Sequence, residues 1–287
     1  MINLIKKIIN FLFGKKEKII SEPEIHLPEK SKEKEMKFNL VNNKMEFRSD
    51  EGKENYSQRN NEFKWTHPKN PALKMDGLSM CNVTSICMAL DYEDYEFPAG
   101  RFKQPEDNLC AFIYEEPAVM ECYKRLYPGL AAAFERGDTN ATQPNLMHDV
   151  NVFATNLWMK QNVISFRTNR TIRSIIDECI HNRPVVLSGT YPYKYLNGTT
   201  GTLGHINVIA GVRFPEFVKT VEQAFQTMPE TFIIDDPFGD YSNNFGPTSK
   251  RNDIEMPYKD FIRLQKDLNN DSTKWGYFIT PSTGAQI

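Results

Sequence analysis

The chain has 287 residues, 40% of them hydrophobic and 25% charged, enough to bury a sizeable core in one large domain plus an appendage. Lys plus Arg at 35 against Asp plus Glu at 37 leave a net charge of -2, so no global field recruits nucleic acid or an acidic partner. Five cysteines, at 81, 87, 110, 122 and 179, include no CxxC pair, which argues against a disulfide framework and for a reducing compartment.

In chain order, the first segment is MINLIKKIINFLFGKK. Lys6 and Lys7 interrupt its hydrophobic run and no small-residue cleavage site follows, so it does not read as a secretion signal and a cytoplasmic location in the producing cell is expected. No apolar run reaches the length of a bilayer span. On a helical wheel Ile2, Ile5, Ile9 and Leu12 share a face opposite Lys6, Lys7 and Asn10. Residues 1–20 therefore read as an amphipathic basic helix, suited to a partner protein, to its own domain, or to a membrane or virion surface. Residues 21–54, with SEPE and EKSKEKEMK, read as a charged linker or arm. Folded-domain character is expected over 55–287. Residues 66–76 carry Pro68 and Pro71, with Gly77 beyond, and suggest a surface loop.

Residues 79–92, SMCNVTSICMALDY, combine start-of-helix chemistry at Asn82, Thr84 and Ser85 with enough apolar positions for a buried helix. Cys81 then sits at the helix N-terminus, where unpaired N–H groups and the macrodipole favour thiolate over thiol. A mostly helical half follows: helices over 106–114 and 117–126, a short apolar run over 130–135 stopped by Gly137, and an amphipathic helix over 145–160. Strands and connections then alternate. Strands are expected at 163–167, 184–188, 205–212, 231–235 and 275–280, and helices at 171–181, 216–227 and 258–268. The stretch 190–204, rich in Tyr, Gly and Thr, reads as a loop. In the strand at 205–212, alternation places His205, Asn207 and Ile209 on one side and Ile206, Val208 and Ala210 on the other.

A thiol nucleophile needs a base within hydrogen-bonding reach and a third group to orient that base. His205, behind Gly204 at the head of a strand, is the candidate base. The next strand ends in two acids, Asp235 and Asp236, which alternate in direction, so only one of them faces His205. His67, His148 and His181 lack ligand spacing, and there is neither a zinc pattern nor a phosphate-binding glycine loop. No cofactor or metal is expected.

The order Gln58, Cys81, His205, Asp236, carried by YSQRNN, SMCNVTSICMAL, GHINVIAGV and FIIDDPFG, resembles the papain-like cysteine peptidases of the C39-like group, especially free-standing members from bacteria and phages. The resemblance covers roughly residues 55–280. It implies an α+β fold of papain-like type, with the nucleophile at a helix N-terminus packed on an antiparallel sheet that carries His and Asp. By the same resemblance Cys81 is the nucleophile, His205 the base and then acid, Asp236 the orienting carboxylate with Asp235 as the alternative, and Gln58 the oxyanion donor. Gln58 lies 23 positions ahead of Cys81, so the chain between them has to make an excursion and return. The implied reaction is hydrolysis of an amide in a peptide or a peptidoglycan stem peptide, with Tyr191, Tyr193 and Tyr195 as an aromatic substrate rim. The competing reading is a non-catalytic binding or structural module on the same fold, such as a phage virion component or a membrane-surface effector.

Overall fold

The computed structural model of the chain describes residues 36–53, 56–246, 250–264 and 274–281; the amphipathic helix expected over 1–20 lies outside them. The expected arm over 21–54 is corrected at its C-terminal end. There β1 (Asn39–Val41) and β2 (Lys44–Arg48) form a hairpin, turned by Asn42 and Asn43, both in the left-handed region that asparagine tolerates. Met45 and Phe47 are buried, and these are the apolar residues that a reading dominated by charge passes over. A second hairpin, β3 (Trp65–His67) and β4 (Asn70–Met75), replaces the loop expected at 66–76. Its Trp65 ring stacks on Phe134 at 5.5 Å.

Helix α1 (Cys81–Tyr92) is buried from Asn82 to Leu90, with Asn82 and Ser85 donating to the Asn145 and Ile206 carbonyls as buried polar groups require. Helices α2 (Pro105–Glu115), α3 (Pro117–Leu126) and α4 (Pro128–Arg136) each begin with a proline, whose missing N–H costs nothing in a first turn. Gly137, at φ 78°, ends α4. The helix expected over 145–160 is divided: Pro144–Leu146 make a 3-10 turn, Met147 is extended, and α5 (His148–Met159) follows.

After β5 (Ile164–Arg170) comes α6 (Ile172–Ile180), capped by the Thr171 hydroxyl, which accepts from Ser174 N–H. Then β6 (Val185–Lys194) and β7 (Thr200–Arg213) form one long hairpin, paired from Val185↔Ile209 out to Lys194↔Thr200. The expected loop at 190–204 is thus mostly ladder. Tyr191 and Tyr193 are at strand spacing and are good strand formers, while Asn197 and Gly198, the latter at φ 84°, close the turn. The expected helix at 216–227 shrinks to α7 (Val221–Ala224), because a capping box between Thr220 and Gln223 fixes where it starts. The chain continues through β8 (Thr231–Asp235), β9 (Ile254–Pro257), α8 (Tyr258–Leu264) and β10 (Lys274–Ile279).

The main sheet has eight strands, all antiparallel among the described residues, and β7 is its spine. It pairs with β6 along Thr200–Ile209, with β2 along Gly211–Arg213 and with β8 along Val208–Arg213. A strand has two edges, so β6 and β2 follow each other along one and β8 takes the other. Gly211 makes this possible: a Cβ there would meet the Phe47 carbonyl oxygen at 2.2 Å. Beyond β6 lie β10 and β5.

Two apolar cores flank the sheet, as strand alternation requires. Val186, Val208, Ala210 and Tyr277 join α1 to α5 on one face. Val185, Leu187, Ile209 and Phe278 join α6 and α8 on the other. The architecture is α+β, helices on an antiparallel sheet.

Candidate active site

Each candidate is aimed by the fold. Cys81 is the first residue of α1 and is only half-buried, whereas the other four cysteines are buried; all five are free thiols. The α1 helix is tied to the spine strand through Ser85, whose hydroxyl donates to the Ile206 carbonyl at 3.1 Å. His205 is the neighbour of Ile206 on β7, opposite Gly189 of β6. The Cys81 sulfur lies within hydrogen-bonding reach of the His205 ring. His205 Nε2 is 2.7 Å from Asp236 Oδ1.

Asp236 stands just past the end of β8, and its carboxylate is the hub of the site. Oδ1 also accepts from the Phe238 and Gly239 N–H groups at 2.8 and 3.0 Å, and Asn207 Nδ2 donates to Oδ2 at 3.4 Å. Donors arranged this way hold the carboxylate in place against the ring. An ionised Asp236 holds the proton on Nε2, which leaves Nδ1 as the nitrogen for the Cys81 proton. Burial by itself pulls the His205 pKa down, but the Asp236 charge and hydrogen bond, with Cys81 beside them, prevail and push it up to about 10.

Asp235, the alternative acid, points away from His205 as alternation requires. It accepts from the Tyr92 hydroxyl and the Asp253 N–H, each at 2.7 Å, in a separate cluster with Asp50 and Asp253. These three carboxylates come within 4.8 Å of one another beneath a cavity of about 280 Å³ that Cys81, His205 and Asp236 do not line. Arg48 is ion-paired to both Asp50 and Asp253, so a metal ion there would have to displace a guanidinium. Burial, then the Asp50 charge, raises the Asp235 pKa.

Gln58 opens a short 3-10 turn, Gln58–Asn60, and is buried. Its N–H donates to the Pro237 carbonyl at 3.1 Å. The excursion after it is the β3–β4 hairpin, and the chain returns at Gly77, where an added Cβ would meet the Gln58 carbonyl oxygen at 2.5 Å. Asn61 Nδ2 then donates to the Thr84 hydroxyl at 3.3 Å. Gln58 is thereby set between the start of α1 and the Asp236 turn.

The tyrosine rim is corrected. Tyr191 is fully buried, its ring 6.2 Å from that of His205, and its hydroxyl accepts from Asn207 Nδ2 at 2.6 Å. It supports the site from beneath. Tyr193, two positions on and on the same face, is half-buried against Phe245, and Tyr195 is exposed, so only Tyr195 of the three is open to solvent.

Asn207 was visible in the sequence as sharing a face with His205, but nothing there singled it out as a partner of Asp236. The Phe238 and Gly239 amides, like all backbone donors, carry no residue signature; only the DPFG turn hinted at them. Two of the lone histidines have partners of their own: His181 Nδ1 donates to the Asp177 carbonyl at 2.6 Å, and His148 Nδ1 is 2.7 Å from the Tyr277 hydroxyl. A comparison with protein-family models finds no match to this chain, and a comparison with curated proteins finds none either.

Proposed function

We propose that the chain is a cysteine hydrolase of papain-like, C39-like type that cleaves an amide in a peptide or a peptidoglycan stem peptide. The observation that carries this reading is one imidazole between a helix-terminal thiol and a buried carboxylate, with its far nitrogen already engaged by Asp236. Such a ring has Nδ1 to take the Cys81 proton and an anion to stabilise the imidazolium that results.

In the proposed cycle the Cys81 thiolate attacks the amide carbonyl and forms a C–S bond. The oxyanion is held by the Cys81 N–H, at the open end of α1, and by the Gln58 side-chain amide. His205 Nδ1–H gives its proton to the departing amine as the C–N bond breaks. Water, deprotonated by Nδ1, then attacks the thioester; the carboxylic acid leaves and the thiol is restored. No cofactor or metal takes part. Tyr195, exposed just past β6, with the half-buried Tyr193 ring against it, suits an extended peptide beside the site.

The test is labelling with a peptidyl acyloxymethyl ketone, alongside mass spectrometry of synthetic linear peptides and stem peptides incubated with the protein. The reading expects labelling and cleavage in wild type, loss of both in Cys81→Ala and a marked decrease in His205→Ala. Unchanged labelling in Cys81→Ala would place the reactive thiol elsewhere. A folded wild type that neither labels nor cleaves would hand the chain to the binding-module reading.

A further inference from the structure

We propose that Arg59 is a positioning residue that fastens the turn carrying Asp236 to the segment carrying Gln58, so that the orienting carboxylate and the oxyanion donor move as one body. This rests on the hydrolase reading above. The turn leaves the end of β8 at Asp236 and runs to Phe245 without joining a strand among the described residues. Its internal bonds, such as Phe245 N–H to the Asp240 carbonyl at 2.9 Å, shape it, and Asn244 ties it to β6, accepting from Lys194 N–H at 2.6 Å and donating to the Lys194 carbonyl at 3.0 Å.

Arg59 supplies the attachment to the segment carrying Gln58. Its Nε donates to the Phe238 carbonyl at 3.0 Å and its Nη2 to the Phe245 carbonyl. Its guanidinium carbon lies 3.8 Å from the centroid of the Phe238 ring. One side chain thus holds both ends of the turn and covers the ring between them. The preceding residue adds the Gln58 N–H to the Pro237 carbonyl.

What is fastened is the housing of His205. The Phe238 and Phe245 rings lie 5.9 and 5.3 Å from the imidazole, and the Phe238 and Gly239 amides are the ones bonded to Asp236 Oδ1. If the turn drifts, those amides leave the carboxylate and the rings cease to shield the His205–Asp236 bond. Only arginine meets all three demands, because its planar fork bonds two carbonyls while its face stacks on a ring; an ammonium offers one point of charge.

The experiment compares Arg59→Lys and Arg59→Met with wild type in peptide hydrolysis. It also compares Cys81→Ala with Cys81→Ala/Arg59→Met by proton NMR of the low-field His205 Nε2–H resonance and its exchange with water. The expectation is a fall in kcat of about tenfold or more with KM nearly unchanged, the size that small displacements of catalytic groups produce, with Arg59→Lys falling between. The resonance should be sharp in Cys81→Ala and lost or in fast exchange once Arg59 is removed. An unaltered resonance, or a lowered melting temperature with unaltered kcat in the folded fraction, would overturn the assignment. A wild type without turnover whose resonance still depends on Arg59 would keep the fastening role and remove the hydrolase reading.

Discussion

His205 and Asp236 meet at 2.7 Å, with only 4% and 2% of their surfaces exposed. Water is thus nearly excluded from the bond that sets the tautomer and charge of the ring. A pair desolvated to this degree is costly to break from one side, because the remaining group keeps its burial and loses its partner.

Replacing Asp236 by Asn tests the pair. The His205 pKa stands at about 10 in the folded protein against an ordinary 6.5. The stability it contributes is therefore fully present below pH 6.5 and is lost as pH rises through its folded value. Urea midpoints should fall between about pH 6.5 and about pH 10 in wild type and change less in Asp236→Asn. If the proposed thiolate–imidazolium pair acts, the alkaline limb of kcat/KM follows the same proton. Asp236→Asn should move that limb to lower pH and reduce kcat/KM by about 100-fold or more.

Thiol accessibility offers a second check. Iodoacetamide under native conditions should modify Cys81 first, since Cys87, Cys110, Cys122 and Cys179 are buried and thiolate chemistry requires access. Burial raises the pKa of each of those four. Peptide mapping that finds Cys87 or Cys110 alkylated before Cys81 would contradict the packing of α1 and α2.

Gly211→Ala addresses the sheet. The added methyl would sit 2.2 Å from the Phe47 carbonyl oxygen, and backbone in a ladder has little room to yield. The variant should lose about 1–3 kcal/mol in urea unfolding. Amides of β2 should exchange faster than those of β6, because β2 pairs with β7 at this glycine and β6 does not.

Glu106 is buried on α2, and its Oε2 has no hydrogen-bond partner. Burial raises its pKa from 4.5 to about 7, only partly offset by a backbone hydrogen bond. The unfolded chain gives up this proton first, so the cost to stability begins near pH 4.5 and is complete above about pH 7. Glu106→Gln should be more stable than wild type at about pH 8, by up to about 3 kcal/mol. At about pH 4 it should show no gain, and calorimetry at the two values decides the matter.

Much of this could be read from the residues. The proline at 117 marked a helix start. Alternation along β7 placed Asn207 beside His205, and the opposed directions of Asp235 and Asp236 are those expected of successive residues at a strand end. Other features were hidden for physical reasons. Met45 and Phe47 sit in a charged stretch, and only pairing with Arg213 and Val212 far along the chain makes strand of it. Tyr191 looked like a rim residue because a loop was expected; the ladder turns it inward. Arg59 gave no sequence signal, since its partners are two carbonyl groups, and carbonyls are the same in every residue.

The double flanking of β7 bears on how the molecule comes apart. Val208 and Ile209 are laddered to β6 on one edge and to β8 on the other, three and four positions from His205, and α1 is fastened to Ile206. No peripheral fraying can release such a strand. The Val208 and Ile209 amides should fall in the slowest class in native-state exchange, those that open only with the whole molecule. Sulfur, ring and carboxylate are all anchored to that strand or its immediate neighbours, so warming should preserve their alignment until the cooperative transition and abolish it there in a single event.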